Sequence, residues 1–145
     1  MQNILIEKLH GYLLQNHPDL LLDLQPGAGI MAYLELRVET LENLPEILLA
    51  EGKPAYVVEE ICMEALTRDL GPSKFNFLCS VLQEEFETEY IGWRQSGILT
   101  YEVSNLLQAC TPVFEHFKFS EETEDDRFLR YAVIGMIREY MNGNS

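Results

Sequence analysis

The sequence predicts an all-α fold, a compact orthogonal or bundle-like array of about six helices, and three observations carry that expectation. Between Pro and Gly marks the apolar residues recur at the three- and four-residue spacing of a helix face. No segment sustains the period-two alternation of a half-buried strand. The longest uncharged runs, Leu24–Leu34 and Val103–Phe114, fall far short of the ~20 residues that cross a membrane. With 145 residues, no internal repeat and no linker-like tract, the chain reads as a single helical domain over residues 1–145.

The elements follow in order. Residues 4–16 bring Leu5, Leu9, Tyr12 and Leu13 to one face, and His17-Pro18 stops the helix. Residues 28–44 align Met31, Leu34, Val38 and Leu41, after which Pro45 either kinks this helix or starts a short new one. Pro54 suits the first turn of a helix that runs to about Leu70, with Val58, Ile61, Cys62 and Ala65 inward. Ser73 is the expected N-cap of the next helix, whose stripe is Phe75, Leu78, Cys79, Leu82 and Phe86. Residues 90–97 read as a connection. Thr100 is expected to cap a helix from about Tyr101 to Ala109, and Pro112 to bend the chain into Val113–Phe117. The last helix has the widest stripe: Phe128, Leu129, Ala132, Val133, Met136, Ile137 and Tyr140. Asn142-Gly143 should end it, and the acids Glu121–Asp126 lie on its N-terminal side, where the helix dipole favours negative charge.

The charge narrows the function. There are 24 acidic and 10 basic side chains, a formal net charge of −14, and no two Lys or Arg residues are adjacent. Binding a phosphate backbone needs clustered cations that release counterions, so direct nucleic-acid binding is not expected. An anionic membrane surface would repel the chain. A basic protein partner or a cation fits the charge. The first residues meet Glu7 and Lys8 before any apolar core of a secretory leader forms, so none is expected. Cys62, Cys79 and Cys110 are odd in number and far apart, a pattern that fits reduced thiols in cytoplasm.

Chemistry-bearing groups are sparse, and no cofactor or metal is expected. A catalytic thiol needs a base, and the chain offers His10, His17 and His116; Cys110 and His116, across the Pro112 bend, form the one pair worth naming. Cys62 and Cys79 fall on apolar stripes and read as small core hydrophobes. Glu7 and His10 make the Glu-x-x-His spacing of carboxylate-bridged di-metal bundles, but no second such pair exists. The run Glu121–Asp126 is rich in oxygen ligands for a hard cation yet lacks the alternation and central Gly of an EF-hand loop. Gly27-Ala28-Gly29 has no preceding strand and no Gly-Lys-Ser/Thr ending, so it is no phosphate loop. Trp93, beside Tyr90 and Arg94, is either an interface anchor or a plug over the core. Glu35, Glu39, Glu42 and Glu46 recur at helical spacing as one acidic row.

Three stretches resemble a known family. They are Leu9-His10-Gly11-Tyr12-Leu13-Leu14-Gln15-Asn16-His17-Pro18-Asp19-Leu20, Ser73-Lys74-Phe75-Asn76-Phe77-Leu78 running to Glu84-Glu85-Phe86, and Pro112-Val113-Phe114-Glu115-His116-Phe117 through the acidic run to Tyr131. Together they are similar to an uncharacterised bacterial family of small helical proteins with a domain-of-unknown-function label, often encoded among accessory genes of conjugative elements. The resemblance implies an all-α cytoplasmic protein and brings no activity with it. The chain departs from that family in Leu21–Gly29.

The expected function is a non-enzymatic protein–protein interaction module, an accessory protein of a mobile element whose acidic face meets a basic partner through Tyr90, Trp93, Arg94, Glu35, Glu39, Glu42 and Glu46. Two alternatives stand beside it: an acidic nucleic-acid mimic that occupies a DNA-binding protein, and a small enzyme using Cys110 and His116. Five Met and seven Tyr residues leave a homo-oligomer open.

Overall fold

Leu5, Leu9 and Leu13 stand four residues apart and are all buried, which is the register that makes the first segment a helix and starts a core. A computed structural model describes residues 1–143. Among the described residues the chain forms nine α-helices, a short 3-10 turn and no strand. Their contacts gather into two compact units: Met1–Gln15 with Leu20–Gly71, and Asn16–Asp19 with the chain from Pro72 on.

The first unit is built on α1 (Gln2–Asn16), α2 (Asp19–Leu22), α3 (Ala28–Glu39), α4 (Leu44–Ala50) and α5 (Ala55–Thr67). Its core joins Leu5, Leu9 and Leu13 of α1 to Leu34 and Val38 of α3, Leu48 of α4, and Val58, Cys62 and Leu66 of α5. Each fully buried Leu contributes ~1.5–3 kcal/mol relative to exposure. Arg37 fastens α3 to the end of α5: its guanidinium donates to the Leu66 carbonyl at 2.7 Å and pairs with Asp69 at 3.3 Å.

The segment 28–44 is not one helix. Past Glu39 the backbone bonds tighten to three-residue closures, from the amides of Thr40, Leu41 and Glu42 to the carbonyls of Arg37, Val38 and Glu39. Glu42 then turns left-handed at φ 54°, and Pro45, which has no N–H to extend the ladder, enters the first turn of α4. Met31 and Ala65, expected inward, are exposed, because the buried stripes of α3 and α5 are only one residue wide. Gly27 opens α3 at φ 77°, a backbone region in which a side chain is strained.

The second unit is built on α6 (Lys74–Glu85), α7 (Glu87–Gln95), α8 (Leu99–Phe117) and α9 (Arg127–Gly143). Ser73 caps α6 as expected: its hydroxyl accepts from the Asn76 amide at 2.9 Å and donates to the Asn16 carbonyl. α8 lies against α9 and α6. The core joins Phe75, Leu78, Val81 and Leu82 to Val103, Leu106, Cys110 and Phe114, and to Leu129, Val133 and Ile137. Arg130 of α9 pairs with Glu84 of α6 at 2.5 Å and with Glu85 at 3.8 Å.

Four expectations for this unit change. Residues 87–95 are helical rather than a connection. α8 begins before Thr100, with Ile98 at its cap, and passes through Pro112 without ending. The reason is packing: Leu106, Cys110 and Phe114 continue one four-residue buried stripe across the proline, so burial on both sides outweighs the hydrogen bond that Pro112 cannot make. Phe128, expected in the α9 stripe, is 58% exposed. The Asp126 carboxylate caps α9 by accepting from the Phe128 amide at 2.8 Å, which gives the acidic run a local structural role. Asn142 and Gly143 still belong to α9, so the expected stop falls at the edge of the described residues.

Candidate functional site

Within the first unit, the acidic row does not lie on one helix. Glu35 and Glu39 belong to α3, Glu42 to the left-handed turn and Glu46 to α4. All four are exposed. The left-handed turn at Glu42 interrupts the row. Glu39, Glu42 and Glu46 now line one concavity of about 200 Å³ whose walls include Val38 and Pro45. The four carboxylates therefore do not form the single-helix row that their spacing predicts.

Within the second unit, Trp93 sits on α7, not on a glycine-flanked loop. Phe86, Tyr90 and Trp93 stand four and three residues apart, and all three pack half-buried against the core of this unit. Tyr90 is anchored, its hydroxyl accepting from Gln83 Nε2 at 2.7 Å. Arg94, next to Trp93, is exposed. The outer edge of Trp93 is not closed over. It lines a concavity of about 450 Å³ together with Glu89 of α7, Tyr101, Glu102 and Asn105 of α8, and Tyr140 and Met141 of α9. Trp93 is thus both a core residue and a wall of an open site. The Tyr140 hydroxyl donates to Glu102 Oε2 at 2.6 Å, which sets the Glu102 carboxylate in place among the rings.

Tyr101, Glu89, Glu102 and Tyr140 carry no motif that marks them in the sequence. Three helices must meet before they become neighbours. The one usable signal is that Tyr101 and Tyr140, large and amphipathic, each stand beside an acid, Glu102 and Glu139.

The pairing of Cys110 with His116 does not form. Six residues along a helix amount to about 600°, so the two side chains leave α8 on different faces. Cys110 is fully buried, and burial pushes its thiol up to about 11, while His116 is exposed with its ring edge-on to Phe117. Cys79 is likewise pushed up to about 11 by burial. Cys62 is raised by burial, with Glu46 adding to it. A thiolate is the reactive form, so all three cysteines are poor nucleophiles at neutral pH. His17 is buried, and burial lowers its pKa against the opposing pull of Asp19. Among the described residues, no three His, Cys, Asp or Glu side chains gather as a metal-binding group; Glu7 and His10 therefore stay half a motif. No helix among them is long and apolar enough to cross a membrane.

A family model described as a domain of unknown function, DUF1896, matches residues 6–144. The chain belongs to this family. The match takes in α2 to α9 and all but the first turn of α1, so it includes Glu39, Glu42 and Glu46 and the whole lining of the concavity on α7–α9. No curated protein and no solved structure matches the chain.

Proposed function

We propose that this DUF1896 protein is a non-enzymatic binding module that meets a basic protein partner through its carboxylates. The observation that carries this reading is the convergence of Glu39, Glu42 and Glu46 on one concavity, in a chain of formal charge −14. Among the described residues none of these three carboxylates takes part in an ion pair, so their charge is available to a cation from outside. Complementary charge of this kind speeds and selects the encounter, and apolar walls such as Val38 and Pro45 give a long Lys or Arg stem something to lie against. Tyr90, Trp93 and Arg94 of the second unit, with Glu35, complete the residues we assign to partner contact. The same reading sets the protein in bacterial cytoplasm as an accessory product of a mobile element, on the strength of the sequence resemblance. The separation of Cys110 from His116 favours binding over catalysis.

The test is a tagged pull-down from native cells at low and high salt, with the wild type beside a Glu39→Gln, Glu42→Gln, Glu46→Gln triple variant. A stoichiometric basic protein that is held at low salt, released at high salt and lost by the variant is the expected result. Retention that ignores both salt and the three substitutions would contradict the reading.

A further inference from the structure

The concavity on α7–α9 has a chemistry distinct from that of the acidic turn. Three aromatic side chains, Trp93, Tyr101 and Tyr140, share it with two carboxylates, Glu89 and Glu102, and with the amide of Asn105. Trp93 and Tyr140 have a second task, since both pack against the core of the unit. Tyr101 does not need to be there for the core: it is 59% exposed. No Lys or Arg lines the site, and among the described residues neither Glu89 nor Glu102 forms an ion pair. Tyr140 uses one acceptor position of Glu102, and an ionised carboxylate has about four.

We infer that this pocket binds an organic ammonium group, with Trp93, Tyr101 and Tyr140 against its alkyl substituents and Glu89 and Glu102 against its charge. Aromatic faces attract a cation through the ring quadrupole, and walls of Trp and Tyr are the means by which proteins hold quaternary ammonium and methylated lysine groups. A hard metal ion suits the site poorly. Calcium takes roughly six to eight oxygen ligands, and only two carboxylates line this pocket, while rings offer a metal ion nothing in exchange for its water. A neutral apolar ligand suits it poorly too, because it would strip water from two carboxylates with no return. The volume, about 450 Å³, lies within the span of small-ligand sites. The shared chemistry has two sources, a free small quaternary amine or the end of a modified lysine on a protein. The inference shares Trp93 with the basic-partner reading but does not rest on it, because a free amine would satisfy it with no partner and without the acidic turn of the first unit.

Trp93 is the sole tryptophan of the chain, so its emission reports on this pocket alone. The experiment titrates the whole protein with choline, with a trimethyl-lysine peptide and with the uncharged tert-butyl analogue of choline. A saturable change in Trp93 emission with the cations and not with the neutral analogue is the expected result. Tighter binding of choline than of the peptide assigns the free amine as the source, and the reverse order assigns the protein-borne one. Tyr101→Ala, at an exposed position, should weaken binding roughly three- to thirtyfold, and Glu102→Gln, which keeps an acceptor for Tyr140, should weaken it while circular dichroism stays unchanged. No saturable response to either cation, or an equal response to the neutral analogue, overturns the inference.

Discussion

The hydroxyl of Tyr140 and the carboxylate of Glu102 meet at 2.6 Å, thirty-eight residues apart in sequence, and this contact joins α9 to α8 at the edge of the aromatic pocket. A hydrogen bond to a charged acceptor is worth ~1.5–3 kcal/mol where water is excluded and less where it is not. Tyr140→Phe should therefore destabilise the protein by about 1 kcal/mol. A double-mutant cycle with Glu102→Ala, which removes the acceptor, read by urea unfolding, should return a coupling of similar size; zero coupling would show that the contact does not hold the pocket's edge.

Cys110 gives a prediction about reactivity. Burial removes it from solvent and holds its thiol at about 11, so the native protein should leave it unmodified by an aromatic disulfide reagent at neutral pH, while denaturant exposes it. Cys110→Ser places a hydroxyl in the core of the second unit and should cost about 1–3 kcal/mol. Rapid modification of native Cys110, located by peptide mass spectrometry, would show that the core is open there.

His17 sets a pH dependence. Its pKa in the folded chain lies below the ordinary 6.5 because of burial, so the unfolded chain binds the proton more readily. Stability is then fully present above about pH 6.5 and is lost as the pH falls through that value toward the folded pKa. Asp19 acts in the opposite sense and lower on the scale. Burial raises its pKa above 3.8, so the folded state holds that proton longer, and this contribution declines as the pH rises from 3.8. Urea midpoints between about pH 5 and 7 should climb for the wild type and flatten for His17→Gln. An equal slope in both proteins would assign the dependence to another group.

Pro112 is exposed within α8. Replacing it by Ala restores a backbone donor and removes the ring's clash with the preceding turn. An interior Pro costs ~3 kcal/mol relative to Ala, and the stiffness it lends the unfolded chain returns ~0.4–1 kcal/mol. Pro112→Ala should thus stabilise by about 2–2.6 kcal/mol, read as a rise in melting temperature. A fall would mean that a bend at Pro112 is needed to seat Phe114.

Local signals in the sequence were legible wherever one residue type decides the backbone. Ser73 caps α6, Pro45 starts α4, and the Leu5–Leu9–Leu13 and Leu129–Val133–Ile137 stripes point inward. Elsewhere tertiary packing overrides the local rule. Pro112 failed to end α8 because Cys110 and Phe114 are both buried, and the Gly92 segment formed α7 because Tyr90 and Trp93 gain a core to rest on. The left-handed turn at Glu42 carries no glycine, so nothing in the letters marks the break between α3 and α4 around which Glu39, Glu42 and Glu46 line one concavity. Trp93 was legible as a residue of interest. Its companions Tyr101, Glu102 and Tyr140 were not, because they become neighbours only when α7, α8 and α9 pack.

The central claim is that the carboxylates of the acidic turn recruit a basic partner. Its most direct measurement is the affinity of the whole protein for a fluorescent lysine-rich peptide across a salt series, in the wild type and in the Glu39→Gln, Glu42→Gln, Glu46→Gln variant. The account predicts binding that weakens steadily with salt and a variant that binds at least about tenfold more weakly at low salt. Equal affinity in the two proteins at low salt would contradict it.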